Sequence, residues 1–321
     1  MIGRNFVRVK VLQAIYAYEA SGCQKQSLAL KNLLKEFDEN YELYILLLSM
    51  FGNLTAMAQE IIDNKKRKFI PTQDDLKPNS KFVNNQFIQL LDANPSLQQH
   101  LADINNPWAN DVAQVFIRKI YDMLSNHDIY INYMQSDESS FKEDKQFVLN
   151  IVEHFILDND TLMHYFGDIK LHWFHDFNDI VLLVYKTLSS FTKEHATDFT
   201  LPPMFKIDLD GQSEDKQFLI DLFNKTILHK EEHLRIISDN IRNWEMERIA
   251  AIDLILLEMA ICEFCEFPSI PLRVTLNEYI ELAKYYSTPK SKNFINGLLD
   301  NILGILKAEG KIHKQGRGLM G

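Results

Sequence analysis

Apolar residues in this chain recur mostly at steps of three and four, the period of a helix with one buried face. Val7, Val11, Ile15 and Tyr18 form such a stripe and predict a first helix over residues 4–18. Tyr44, Leu47, Leu48, Phe51, Leu54 and Ala58 predict a second, long helix over 39–63 that runs out into Lys65, Lys66, Arg67 and Lys68. That basic run reads as a solvated helix end, where cations suit the helix dipole, with a nucleic-acid contact as the alternative. Pro71 and Pro78 mark a linker or exposed loop, Pro95 and Pro107 punctuate shorter helical pieces, and a long helix is expected over 110–134. Further on, Asn243 is placed to cap a helix starting at Trp244 and continuing to Cys265, apolar almost all round and therefore central to a core. Pro268 and Pro271 end it. Val274, Leu276, Tyr279, Ile280, Leu282 and Ala283 make the next helix, and Thr288 before Pro289 signals the start of a last one that buries Ile295, Leu298, Leu299, Ile302 and Leu306. No segment alternates as a strand does, and the fold class is all-α, built of helical bundles.

Composition narrows this. The 321 residues allow about two domains. With 46% hydrophobic and 24% charged residues the chain is globular, and 11 Gly and 9 Pro are too few for a turn-rich β fold. A formal net charge of −10 opposes indiscriminate nucleic-acid binding while leaving room for a local basic patch. Three cysteines, Cys23, Cys262 and Cys265, make no disulfide framework and point to a reducing compartment. The densest apolar runs, at 44–50 and 254–257, are far shorter than the roughly 20 residues a membrane span needs; a cytoplasmic location is expected.

One internal echo is visible. Glu143-Asp144-Lys145-Gln146-Phe147 recurs as Glu214-Asp215-Lys216-Gln217-Phe218, and the same offset relates Trp173 to Trp244. A degenerate duplication of a helical hairpin would leave this mark, with matching helix boundaries in both copies.

The stretch Pro271-Leu-Arg-Val-Thr-Leu-Asn277-Glu278-Tyr-Ile-Glu281-Leu-Ala-Lys284, followed by Ser291-Lys-Asn-Phe294-Ile-Asn296-Gly297-Leu-Leu-Asp300, resembles the C-terminal signature of the NusB transcription antitermination factors. Arg8-Val-Lys-Val-Leu-Gln13-Ala14-Ile15-Tyr16 is similar to that family's opening basic helix. The resemblance covers roughly residues 1–62 and 210–308 and implies a pair of packed three-helix bundles, interrupted by a helical insertion over 63–209 and followed by a flexible basic tail over 309–321. It implies binding of boxA-type RNA together with NusE, a small-subunit ribosomal protein, within an RNA polymerase antitermination complex that supports ribosomal RNA transcription. Neither catalysis nor a cofactor is implied.

The resemblance also assigns roles. Arg4 and Arg8, one turn apart, match part of the RNA-contacting basic helix, although Asn5 and Phe6 stand where the family often has further arginines. Phe294 takes the aromatic RNA-contacting position. Helical geometry puts it about 80° from the centre of its helix's apolar stripe, on a rim shared with Lys290 and Asn293. Lys292 lies nearly opposite and joins them only if the helix start bends. Tyr16 and Asp253 fall on the expected NusE surface. Asp253 is an acid among Ile249, Leu256, Leu257 and Ala260, and an internal ion pair, for example to Arg248, explains it as well as a partner's cation does.

Other chemistry is weaker. His164, Asp168 and His172 fall at i, i+4 and i+8, with His175 and Asp179 repeating the spacing, as a metal site on one helix face would. Gly167 and the lack of a metal-ligand motif speak against it. Cys262 and Cys265 have redox-motif spacing but lie inside a helix, which favours buried core thiols. A helical protein-interaction scaffold without RNA binding is the alternative to the RNA-binding role.

Overall fold

The computed structural model describes residues 2–22, 25–104, 107–208, 210–241 and 246–319, and every regular element among them is helical. The chain divides into two compact units: Glu36–Met204, and Ile2–Lys35 together with the chain from Phe205 onward. The second, here the terminal unit, is therefore assembled from both ends of the sequence.

Helix α1 (Arg4–Ala20) buries Val7, Val11 and Ile15 as its periodicity requires. Helix α2 (Gln26–Lys66) is a continuous 41-residue helix, beginning 13 positions before the predicted start at 39. Its residues up to Lys35 count with the terminal unit and the rest with the central one. The division into compact units thus falls inside α2, because from Phe37 onward α2 packs into the central unit. Tyr44 donates its hydroxyl to Thr187, and Asn40 donates to Asp176. By length and composition α2 could cross a membrane, but most of its apolar stretch is buried within the protein.

The central unit continues with α3 (Gln73–Leu76), α4 (Gln86–Asp92), α5 (Pro95–Asp103), α6 (Asp111–Ser125), α7 (Asp128–Gln135), α8 (Phe141–Ile151), α9 (Asp160–Ile169) and α10 (Leu171–Ser190). The single helix expected over 110–134 is two. Asn126 ends α6, and the His127 ring accepts the Ile129 N–H at 3.3 Å to start α7. Gly52, midway along α2, has a packing reason: a Cβ there would lie 2.4 Å from Asp92 Oδ1.

The terminal unit is completed by α11 (Glu214–Leu228), α12 (Lys230–Asn240), α13 (Ala251–Glu266), α14 (Leu272–Tyr286) and α15 (Ser291–Ala308). Helices α1, α11 and α13 pack mutually, as do α13, α14 and α15, so α13 is common to two three-helix groups, with α12 against α13 and α15. Its burial from Ile255 to Phe264 fits its all-round apolar sequence. α13 starts at Ala251 after a 3₁₀ turn at Met246–Arg248, later than expected. Asn243, Trp244 and Cys23 lie outside the described residues. Thr288 does not cap α15; its hydroxyl pairs with that of Ser291 at 2.8 Å.

Two sequence expectations end here. The echoed segments differ in helix boundaries: Ser140 caps α8 three residues before Glu143, whereas Ser213 caps α11 immediately before Glu214. Helix α10 also begins nine residues earlier, in the shared offset, than α13 does. The duplication is not supported. The tail expected to be flexible docks instead: Lys314 Nζ donates to the carbonyls of Glu263 (3.2 Å) and Phe267 (2.8 Å) at the C-terminus of α13. Gln315 N–H donates to Pro268 O at 2.9 Å.

Candidate functional site

Two surfaces of the terminal unit carry the residues singled out from the sequence. The first surrounds the start of α1. Arg4 is half-buried; its Nε donates to Asp215 at 2.8 Å, its Nη2 lies 3.4 Å from Glu214, and its guanidinium stands 5.2 Å from the Phe218 ring centroid. Asn5 donates to Glu278 at 2.9 Å. These residues line a cleft of about 840 Å³ whose walls also include Gln217, Pro271 and Arg317. With Glu214, Asp208, Asp221 and Glu278 on the same walls, the cleft is not a basic surface.

Arg8 corrects its sequence assignment. It is 2% exposed and forms a fork with Glu263, Nε to Oε2 at 2.8 Å and Nη2 to Oε1 at 2.7 Å, while Nη1 reaches Glu278 at 3.3 Å. Glu263 also accepts from Thr275 (2.7 Å) and Tyr279 (3.1 Å). Burial opposes the charged guanidinium, but the hydrogen bonds and charge of Glu263 outweigh it and hold its pKa above the ordinary value. Its bonds to Glu263 and Glu278 fix α1 onto α13 and α14, which leaves little of the guanidinium for a contact with RNA. Sequence reasoning missed Glu263, yet a signal existed: an acid in a helix apolar on every side needs a partner.

The second surface is the corner between α14 and α15. Lys290, Lys292 and Asn293 are exposed and Phe294 is half-buried, on the rim where its phase places it. Among the described residues neither Lys290 nor Lys292 is in an ion pair. Tyr285, 74% exposed with Lys284 5.4 Å from its ring centroid, adds an aromatic that the sequence reading passed over. Its signal was an aromatic on the polar side of an amphipathic helix. This corner combines unpaired cations with aromatic faces, the elements that hold phosphates and stack unpaired bases.

Of the two expected partner residues, Tyr16 is exposed on α1 and Asp253 is buried. Asp253 sits in the first turn of α13, which favours a negative charge, but its Oδ1 is enclosed without a hydrogen-bond partner.

The His/Asp stretch does not assemble. Lys170 separates α9 from α10, so His164 and Asp168 are on a different helix from His172. His172 faces Glu39 at 3.6 Å, and Asp176 accepts from Asn40. No grouping able to hold a metal ion occurs among the described residues. Burial raises the thiol pKa of Cys262 to about 12 and of Cys265 to about 11, the state of inert thiols.

The model of the NusB family matches residues 180–304, a span holding Asp253, Phe294 and the corner lysines but not α1. The transcription antitermination protein NusB of Salinibacter ruber is 43% identical over 121 residues, 38% of this chain and 76% of the relative. That of Chloroherpeton thalassium is 38% identical over 113 residues, 35% of this chain and 54% of the relative. That of Koribacter versatilis is 34% identical over 142 residues, 39% of this chain and 97% of the relative. No solved structure gives a significant match. Helical fold, signature residues and relatives agree: the chain belongs to the NusB family.

Proposed function

We propose that this protein is a cytoplasmic transcription antitermination factor that binds boxA-type RNA together with NusE and supports ribosomal RNA transcription in an RNA polymerase complex. It acts by binding, not catalysis. The observation that carries the RNA role is the α14–α15 corner, where Lys290 and Lys292 are exposed beside Asn293, Phe294 and Tyr285. Arg4 contributes at most the open part of a guanidinium already shared with Asp215 and Glu214. Tyr16 and Asp253 are assigned to NusE; Tyr16 is exposed on α1, and Asp253 lies at the start of α13 with one carboxylate oxygen unsatisfied. The region from 63 to 209 is a helical addition to this core.

The test is fluorescence anisotropy of a labelled boxA-type RNA with and without the cognate NusE, from 50 to 200 mM salt. Salt-sensitive binding that strengthens with NusE and falls at least tenfold in the double variant K290E/K292E is expected. No binding at low salt with NusE present refutes the RNA role. The pairing of Arg4 with acids and the burial of Arg8 favour a second reading, a protein-interaction scaffold, which that negative result would leave standing.

A further inference from the structure

We propose that the C-terminal end of α2 and the cleft beside it, in the central unit, form a second site for single-stranded RNA. The inference rests on the RNA-binding role proposed above and extends it to a part of the chain outside the family match.

The basic run is only partly explained by helix physics. Lys65 and Lys66 close the last turn of α2, where cations are favoured. Arg67 and Lys68 follow beyond the helix end. Lys65, Lys66 and Arg67 are exposed and, among the described residues, in no ion pair. Lys68 is the exception: its Nζ lies 3.0 and 3.1 Å from the two carboxylate oxygens of Asp75. Asp75 is itself locked in a capping box with Thr72, accepting the Thr72 N–H at 3.0 Å and donating its own N–H to Thr72 Oγ1 at 3.1 Å. The Thr72 N–H and Lys68 draw its carboxyl pKa down to about 2, so this clasp stays charged through the neutral range. The basic turn is therefore held in one shape, with its three other cations pointing to solvent. The nearest acid along the helix, Asp63, is occupied by the Gln59 amide at 2.8 Å.

Dipole compensation does not account for what lies next to the cations. Phe69 is 99% exposed and Ile70 is 79% exposed, so neither contributes to the core. A fully exposed aromatic directly after four cations is a stacking platform beside phosphate ligands. A cleft of about 280 Å³ opens alongside, with Lys65 and Asp75 at its lining. Its walls are mostly apolar and include three aromatic side chains: the Phe82 and Tyr121 rings stack at 6.2 Å, and the hydroxyls of Tyr121 and Tyr130 lie 3.2 Å apart. That cleft has room for one splayed base, with hydroxyls to meet its polar edge. Lys66 and Arg67 then face the adjoining phosphates, and Phe69 stacks a neighbouring base.

An anionic lipid surface would use the cations, Phe69 and Ile70, but it would leave the aromatic cleft and its hydroxyl pair without a role. RNA engages all of them. A strand already held elsewhere on the same chain, and long enough to span the two sites, reaches this one at raised effective concentration, so even a weak contact then adds measurable affinity.

The experiment compares three labelled RNAs on the full chain by anisotropy: a boxA-type 12-mer, the same 12-mer extended at either end by a U-rich tail, and the U-rich tail alone. The variants are K66E/R67E and F69A, both at exposed positions outside the terminal unit. For the natural sequence one extension is expected to raise affinity about tenfold or more. Both variants abolish that gain while binding the unextended RNA as before. K66E/R67E also lowers the salt slope of the extended complex by about 1.4, the value for two single-strand phosphate contacts. The tail alone binds weakly and loses that binding in both variants; this arm supports the second site even if the unextended boxA-type RNA does not bind, so the two readings fail separately. An extension that adds nothing, or a gain that survives in both variants, overturns the proposal. So does sedimentation with phosphatidylserine vesicles that depends on Phe69 while RNA binding does not.

Discussion

Replacing Arg8 by Met removes the cation from beneath a fully enclosed carboxylate and keeps most of the side-chain volume. Glu263 loses two charge-assisted hydrogen bonds, at 2.8 and 2.7 Å, and retains only the neutral donors Thr275 and Tyr279. Breaking one side of a buried pair costs about 3–5 kcal/mol, because the remaining charge stays desolvated. With a urea m-value of roughly 1–3 kcal/mol per molar, the unfolding midpoint of the terminal unit falls by on the order of 1–5 M. The double variant R8M/E263Q recovers a large part of the loss, since no ion is then left unpaired. R4M, whose pairs are partly solvated, shifts stability by less than about 1 kcal/mol. Far-UV circular dichroism during urea titration reads all three. A loss below about 1 kcal/mol for R8M, or a double variant no better than R8M, would refute the assignment of Arg8 to the fold.

Two further outcomes follow from buried groups. Glu258 is 1% exposed with Oε1 unsatisfied, and burial raises its carboxyl pKa from 4.5 to about 8, against the opposing pull of Lys230. A raised folded-state pKa means that the stability is fully present below 4.5 and is lost as pH climbs through 8, by up to about 5 kcal/mol. His233, lowered to about 4 by burial and the neighbouring His229, has the opposite sign, its contribution being lost as pH falls from 6.5 through 4. The two oppose each other up to pH 6.5, so the falling slope is cleanest from 6.5 to 8. E258Q should flatten it in thermal melts, and an unchanged slope would show that Glu258 is not the source. Gly318→Ala would place a Cβ 1.9 Å from Pro268 O. Amide exchange of residues 311–319 should accelerate in that variant, while protection equal to the parent's would mean that the tail is held by other contacts.

The helices were legible wherever one apolar stripe ran unbroken, and the errors have local causes. Residues 26–38 carry Leu33 and Phe37 at helical spacing with no Gly or Pro between them and the next stripe, so nothing stops α2 from running through. The break within 110–134 was written in Ser125-Asn126-His127-Asp128, polar residues able to end one helix and begin another, but the surrounding apolar period hid it. Which helices share α13 was not readable at all, because that depends on pairings such as Arg8 with Glu263, 255 positions apart.

The site divides along the same line. Phe294, Lys290 and Asn293 were legible because their helical phase fixes them near the rim of a stripe whose burial the sequence predicts. Arg8 was misread because exposure of a cation was inferred from its charge. The neighbouring pattern argued otherwise: Phe6, Val7, Val9, Val11 and Leu12 leave α1 with apolar residues on nearly every side of Arg8. A cation so placed must find a buried acid, and α13, apolar almost all round, supplies Asp253, Glu258 and Glu263. Glu263 takes the cation, Glu258 is pushed toward its neutral form, and Asp253 keeps an unsatisfied oxygen. The three buried acids of this core helix thus meet different fates. Asp253 and Glu258 each keep one oxygen unsatisfied, so of the three Glu263 alone is completed by the residues packed against it.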